Sequence, residues 1–248
     1  DNGFERWPRA EYFTMGANQW RGAASWPPPE AIATPFYLSS GGRANTLAGD
    51  GLLSLVPPGD EPPDHYDYDP RDPVADTVEM NGWSIAAALR DRSDVDRRGD
   101  VLVYATPPRA EPLELTGPIE VVLHAASSAV DTDFWAGLVD VNPAGYATLI
   151  QDGIIRASAR LGDAPAPPLT PGEVVAYRID LWATSYELKA GHRLRLEGSP
   201  SCFNKFDRNT NTGLPLGQAA GTVVAHQTLF HDALRPSHIL LPLVRRPA

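Results

Sequence analysis

The chain of 248 residues has a single cysteine, Cys202. One thiol excludes an internal disulfide framework and a zinc site built on several thiolates. It favours a reducing compartment such as the cytoplasm without fixing one. No apolar run reaches the roughly 18–20 residues that a bilayer-spanning helix needs, and no N-terminal signal pattern is visible. G-x-S-x-G is missing too, and with it the strained strand-to-helix turn that presents a nucleophilic Ser. The six histidines (65, 124, 192, 226, 231 and 238) form no H-E-x-x-H and no compact metal-ligand spacing. Methionine is scarce: the first is Met15, and the chain opens at Asp1-Asn2-Gly3.

Positive charge is also short. Lys and Arg number 21 against 31 Asp and Glu, a net charge of −10, which disfavours nucleic acid and anionic membrane surfaces as partners. The acids concentrate in residues 57–100, where 12 acids face 5 bases. Asp60, Glu61, Asp64, Asp67, Asp69, Asp72 and Asp76 have only Arg71 among them. A cation site or a basic partner is one reading of this stretch. A solvated, Pro-rich loop is the preferred one, because proline and like charges both keep a segment open.

Proline, by contrast, is abundant: 25 of 248 residues, about twice the usual share. Its scatter breaks helix interiors and points to an all-β architecture with many turns. Ile119, Val121, Leu123 and Ala125 alternate with Glu120, Val122 and His124, the period-2 pattern of a half-buried strand. Val175, Tyr177, Ile179, Leu181 and Ala183 repeat it, as do Leu194 and Leu196. Further strands are expected near 12–15, 36–38, 101–106, 134–141, 146–151, 154–160, 222–230 and 238–244. Trp26-Pro27-Pro28-Pro29 is expected to be an extended, polyproline-like strap, and Ile85–Leu89 a short helix. Many short strands between turn signals suggest a two-sheet sandwich or jelly roll. The chain divides into an N-terminal strap, residues 1–56, and a sandwich, residues 57–248, whose first part is the acidic loop of 57–100.

Four constellations could carry chemistry. Asp207-x-Asn209-x-Asn211 imitates the start of a calcium loop, but Gly213 falls one place late and Gln218 stands where a bidentate Glu belongs. Asx side chains bonding their own backbone explain it more simply. Asp131 and Asp133 would share a strand face about 6.5–7 Å apart, a spacing open to glycosidase chemistry. A structural pairing with Arg156 or Arg160 is the preferred reading. His231-Asp232 and Ser237-His238 tempt toward a triad, yet a Ser beside Pro236 has no oxyanion hole in view. His192 and His238 are read as buried and hydrogen-bonded. Trp20, Trp26, Trp83, Trp135 and Trp182 could include a sugar-stacking platform, the alternative being a free-standing carbohydrate- or ligand-binding sandwich. Trp135 and Trp182 are expected instead to pack between the sheets or against a further domain.

Nine strings, in order, carry a resemblance. They are Tyr12-Phe13-Thr14-Met15-Gly16-Ala17-Asn18-Gln19-Trp20-Arg21, Trp26-Pro27, Tyr66-Asp67-Tyr68-Asp69-Pro70 and Asp100-Val101-Leu102. Ser127 to Phe134, Asp152-Gly153-Ile154-Ile155-Arg156 and Ala190-Gly191-His192-Arg193 follow, then Phe206 to Gly213 and Pro236-Ser237-His238-Ile239. Together they resemble the C-terminal part of the X-Pro dipeptidyl-peptidase, cocaine esterase and α-amino-acid ester hydrolase group of serine hydrolases, along nearly the whole chain. The resemblance implies a jelly-roll β-sandwich, galactose-binding-like, and a parent whose α/β-hydrolase domain holds the entire Ser, Asp and His triad upstream. It implies no cofactor and no metal, and a chain that is inactive alone, cut away from its catalytic domain. The partners it implies are that catalytic domain, a small ester or amide substrate of the parent, and a homo-oligomer interface. In the family a loop before the Asp-Val-Leu strand reaches the acyl pocket, which makes Val78, Met80 and Trp83 the pocket wall here. Ala75-Asp76-Thr77-Val78-Glu79-Met80-Asn81-Gly82 departs from the family's Pro, small residue and two glycines at that place. Arg235 also stands where the family usually has His.

Overall fold

The computed structural model describes residues 3–75, 90–162, 164–215 and 217–245. Among them the chain forms thirteen strands and three short 3-10 turns. The strands are β1 (Ala10–Thr14), β2 (Gln19–Ala23), β3 (Ala31–Ser39), β4 (Leu52–Ser54), β5 (Asp64–Tyr68), β6 (Leu102–Ala105) and β7 (Leu113–Ser127). They continue with β8 (Asp133–Val141), β9 (Ala147–Arg156), β10 (Val175–Leu188), β11 (Arg193–Ser199), β12 (Ala225–Phe230) and β13 (His238–Val244).

The spine is β7. One edge carries β10 along nearly its whole length; the other carries β13 and, at its C-terminal end, β12. From β13 the sheet continues through β3, β4, β6, β11 and β8 to β9, and β5 flanks β12. All pairings are antiparallel except the short β4–β6 contact. Alternating positions of β7, β10, β13 and β3 (Ile119, Val121, Leu123, Tyr177, Ile179, Leu181, Ile239, Leu241, Phe36 and Leu38) meet those of β6, β11 and β8 (Leu102, Tyr104, Phe134, Ala136, Leu138, Leu194 and Leu196) in one core. Phe134 and Tyr177 touch across it with ring centroids 4.6 Å apart. Each fully buried Leu, Ile or Val stabilises such a core by about 1.5–3 kcal/mol. The fold is an all-β sandwich.

Its open side closes where β9 crosses β10. A Cβ on Gly153 would lie 2.1 Å from the Asp180 carbonyl oxygen, so only glycine lets the two backbones approach. Gln151 Nε2 donates to the Ala183 carbonyl at 3.0 Å beside it. The same Gly explains why the two strands expected at 146–151 and 154–160 are one: β9 runs through Gly153 and ends at Arg156, followed by a 3-10 turn over Ala157–Ala159.

β3 and β4 lie inside the main sheet, while β1 and β2 form a separate hairpin on it. The hairpin is joined to the sheet by Met15, whose N–H donates to Ser185 O and whose carbonyl accepts from Glu187 N–H. Below it Thr14, Ser185 and Thr116 link hydroxyls at 2.9 Å. The proline run is a turn rather than an extended strap: Ala31 N–H donates to Pro28 O at 2.9 Å. Reversing the chain into β3 requires it, and Pro29 presets the φ of the second turn position. The acidic stretch is not a uniformly solvated loop, since it contributes β5 and buries Asp64 and Asp96 completely. The helix expected at Ile85–Leu89 lies outside the described residues.

Gly153→Ala should lower the urea midpoint by the equivalent of about 1–3 kcal/mol, the usual cost of overpacking against backbone. Gly198→Ala, whose new Cβ would meet nothing nearer than Leu102 Cβ at 3.9 Å, is the control and should cost clearly less. Equal losses in the two variants would contradict the closure.

Candidate functional site

Val78, Met80 and Trp83 lie outside the described residues, but the chain is anchored on both sides of them. Before the gap, Val74 N–H donates to Ser201 Oγ at 2.9 Å and Val74 O accepts from Phe203 N–H. After it, residues 90–98 lie as a strap across the outer face of β8 and β11. Arg92, 1% exposed, donates from Nε to Glu197 Oε2 at 2.8 Å and stacks its guanidinium over the Trp135 ring, 4.9 Å from the centroid. The ring's other side fills the space over Gly137, where a Cβ would come within 2.2 Å of it. Trp135 Nε1 donates to Asp152 Oδ2 at 2.9 Å, and Lys205 bonds the other oxygen of Asp152. Trp135 therefore packs under the strap and not between the sheets, because Phe134, Ala136 and Leu138 take the core side of β8.

Asp131 and Asp133 are brought together by Asn209, whose Nδ2 donates to Asp131 Oδ2 at 3.0 Å and to Asp133 Oδ1 at 2.8 Å. Arg156 clamps Asp133 with two bonds, Nε to Oδ1 at 2.8 Å and Nη2 to Oδ2 at 2.9 Å. Ser158 N–H caps Asp131 at 2.9 Å. Arg160 turns instead to the Ala157 carbonyl. Burial raises the Asp133 carboxyl above its ordinary range despite Arg156. Every carboxylate oxygen of the pair has a donor, so neither acid is poised to give or take a proton from a substrate. Asn209 also accepts Asn211 N–H at Oδ1, the Asx turn expected of this string.

A hydroxyl, an imidazole and a carboxylate do meet, at His231. The ring is fully buried, with Nε2 2.9 Å from Asp64 Oδ2 and 3.1 Å from Ser40 Oγ, and Nδ1 3.2 Å from Glu61 Oε2. Ser40 donates its hydroxyl proton to Asp64 at 2.7 Å, as Tyr104 does at 2.7 Å, and Ala44 N–H reaches the other oxygen at 2.8 Å. Carboxylates at both nitrogens favour the doubly protonated, cationic form of the ring. Burial alone would lower its pKa, but the bonds and charges of Asp64 and Glu61 outweigh burial and raise it. Burial alone would raise Asp64, and the bonds from His231, Ala44, Tyr104 and Ser40 together leave it lowered. A Ser whose hydroxyl is directed at Asp64, beside a ring held between two carboxylates, is not arranged as an activated nucleophile. This cluster pins the ends of β3 and β12 to β5.

Ser237 is occupied as well. Its Oγ donates to Phe230 O at 2.6 Å and accepts His124 N–H at 2.8 Å. The adjacent Asp232 is held by Arg235. His238 Nδ1 turns to Pro236 O at 2.7 Å, and His192 Nδ1 meets Asp140 at 2.7 Å; both rings are half-buried. Among the described residues no group of three or more His, Cys, Asp or Glu is disposed to hold a metal ion. In the acidic pocket of Asp67, Asp69, Asp72 and Asp100, each carboxylate pairs with His226, Arg71 or Arg98.

Among the described residues, several large apolar side chains are exposed. On the outward face of the β1–β2 hairpin stand Phe13 of β1, Met15 just beyond its end and Trp20 opposite Phe13, at 40%, 42% and 69% exposure. Farther along β10, Trp182 is 73% exposed at a bulge, with φ +62°. A bulky residue there is strained, and Asp180 Oδ1 holds its N–H at 2.7 Å. The exposed rings meet neighbours edge-on: Trp20 lies 64° from Phe13, and Trp26 65° from Tyr12. The sequence marked the strands carrying Phe13 and Trp182 but not β2, which carries Trp20, and nothing in it marked the bulge that turns Trp182 outward.

Removing His231 (His231→Gln) should destabilise the chain by about 3–5 kcal/mol where the cluster is fully charged, since Asp64 loses its buried partner. A raised His value means this stabilisation is complete below the unfolded-state pKa near 6.5 and fades as pH rises through the folded value. Asp64, lowered, loses its share only as pH falls below about 4. Urea midpoints of both proteins should therefore differ more at pH 5.5 than at pH 9. A difference independent of pH would contradict the doubly protonated ring.

Comparison with known proteins agrees with this geometry. A family profile described as the X-Pro dipeptidyl-peptidase C-terminal non-catalytic domain matches residues 2–240. The cocaine esterase of Rhodococcus sp. (strain MB1 Bresler) is 39% identical over 244 residues, which are 96% of this chain and 42% of the esterase. An aminopeptidase from a marine sediment Thaumarchaeota archaeon superposes with a TM-score of 0.86 at 27% identity, over 96% of this chain and 41% of that one. A selenomethionine-labelled α-amino acid ester hydrolase gives a TM-score of 0.82 at 27% identity, over 95% and 41%. The chain thus spans less than half the length of these relatives. It belongs to the family of X-Pro dipeptidyl-peptidase C-terminal non-catalytic domains.

Proposed function

We propose that this chain is the accessory sandwich of a serine hydrolase, docked on an α/β-hydrolase catalytic domain that supplies nucleophile, base and oxyanion hole. The observation that carries the reading is the apolar outer face of the β1–β2 hairpin, Phe13, Met15 and Trp20, with Trp182 beyond it on β10. Large apolar side chains left bare together on one face of a domain mark a surface that another protein covers. Edge-on rings offer no flat stacking pair, so this face supports docking better than sugar binding.

The second contribution is to the substrate pocket. Val78, Met80 and Trp83 would form part of its wall, on a segment whose two ends are held by Phe203 and by the Arg92–Glu197 pair. The reaction of the whole protein would be acyl transfer from a small ester or amide through an acyl-enzyme. The division at residue 56, the jelly-roll, galactose-binding-like class and a homo-oligomer interface belong to the same reading.

Co-expression of this chain with the hydrolase domain as a separate polypeptide tests it. The two should co-purify, and Phe13→Ser with Trp20→Ser should weaken the complex at least about tenfold, the effect of losing a buried aromatic anchor. A complex that forms equally well with the double variant, or none with the unaltered chain, would contradict the docking face.

A further inference from the structure

The strap is held by four charged side chains with almost no access to water. Asp96 and Glu197 are 0% exposed, Arg92 1% and Arg195 7%. Arg92 Nε donates to Glu197 Oε2 at 2.8 Å, and Arg195 Nη1 donates to Asp96 Oδ2 at 2.5 Å. Glu197 Oε1 lies 4.0 Å from that same Nη1, which places both carboxyls around one nitrogen. Two arginines match two carboxylates in number, yet their donors reach one oxygen of each. Asp96 Oδ1 and Glu197 Oε1 are buried and receive no hydrogen bond from the described residues.

Two anionic oxygens left without donors in a dry site repel each other and are costly to bury. One proton between them removes both defects, since the carboxyl that binds it becomes a donor and the other remains an acceptor. We propose that Asp96 is a neutral carboxylic acid at neutral pH, donating from Oδ1 to Glu197 Oε1, and that this shared proton is a pH-sensitive latch fixing residues 90–98 on β11.

Burial, and after it the charge and hydrogen bond of Glu197, push the Asp96 carboxyl up to about 8, against the opposing pull of Arg195 and Arg92. The charged or titratable groups facing the latch are Glu197 and Arg195 from β11, Arg92 from the strap and the buried thiol of Cys202 beside Arg92. Asp91 adds its charge near Arg195. Asp96 is also the strap's junction: its N–H donates to Arg92 O at 3.0 Å and its carbonyl accepts Leu47 N–H at 2.9 Å, while Arg92 N–H donates to Ala147 O at 3.1 Å. Loss of the proton restores carboxylate repulsion where β11, the turn after β3 and the start of β9 are tied together. None of this depends on the docking reading.

Carbon-13 NMR of the whole chain labelled at Asp Cγ tests the latch without altering it. One Asp carboxyl should titrate near pH 8, and its resonance should vanish in Asp96→Asn. If every Asp carboxyl titrates below about pH 5, near the ordinary range, the latch is overturned. Stability gives a second readout. A carboxyl whose folded pKa exceeds its unfolded one favours the fold at low pH, and the gain is lost as pH rises through the folded value. The amide that Asp96→Asn introduces can still donate to Glu197 and accept from Arg195 but cannot titrate. The folding constant of the unaltered chain relative to Asp96→Asn should therefore fall about tenfold per pH unit from about pH 5 to 7.5, then level off. A ratio that does not change with pH overturns the proposal.

Discussion

Where β9 crosses β10 the two backbones come so close that only Gly153 fits against the Asp180 carbonyl. That contact brings the outer strand of one layer against the outer strand of the other, and the arrangement of the remaining chain depends on it. With the sandwich closed there, Phe134, Ala136 and Leu138 of β8 pack into the core. Trp135 is then left on the outer face, in need of a cover. The strap provides the cover, with Arg92 stacked on the ring and tied to Glu197. A backbone approach inside the sandwich thus determines what lies outside it.

Chemistry-bearing residues are plentiful here and almost all of them are spent on structure. Ser237 joins β7 to the end of β12, His231 joins β3, β5 and β12, and the Asp131–Asp133 pair is shared between Asn209 and Arg156. Each could pass for part of a catalytic site if read as a composition. Geometry argues otherwise, because the Ser237 hydroxyl directs its proton at a backbone carbonyl and the Ser40 hydroxyl at a carboxylate already bonded to three other donors, and neither directs it at an imidazole base. The described surface also exposes large apolar side chains, among them Phe13, Met15 and Trp20 at the β1–β2 hairpin and Trp182 on β10. A non-catalytic domain that works against another protein would have this distribution.

The central strands were legible because β7 and β10 bury one face against the core, so polar and apolar residues alternate along them. β8 was legible as a strand but not in its orientation. All nine of its residues are buried, so alternation carries no signal and Trp135 could be assigned to either side. β5 was missed for the opposite reason: Asp64 and Asp67 read as solvated charge, while the structure buries Asp64 against His231 across 167 residues of sequence. Asp96 was hidden in the same way, its partners on β11 lying far along the chain. The pairing of Arg156 with Asp133 and the Asx turn at Asn209 were legible, since charge and local geometry specify them. The outward turn of Trp182 was not, because it follows from a register shift between β7 and β10.

A domain without a nucleophile of its own does not perform acyl transfer by itself. The most direct measurement is p-nitrophenyl acetate hydrolysis by the purified chain, with a serine-directed fluorophosphonate probe in parallel. Turnover should be no faster than the buffer blank, with no stoichiometric labelling, because Ser40 and Ser237 direct their hydroxyls at Asp64 and the Phe230 carbonyl. Turnover accompanied by labelling of one serine, with Ser237 and Ser40 the first to map, would contradict the non-catalytic assignment.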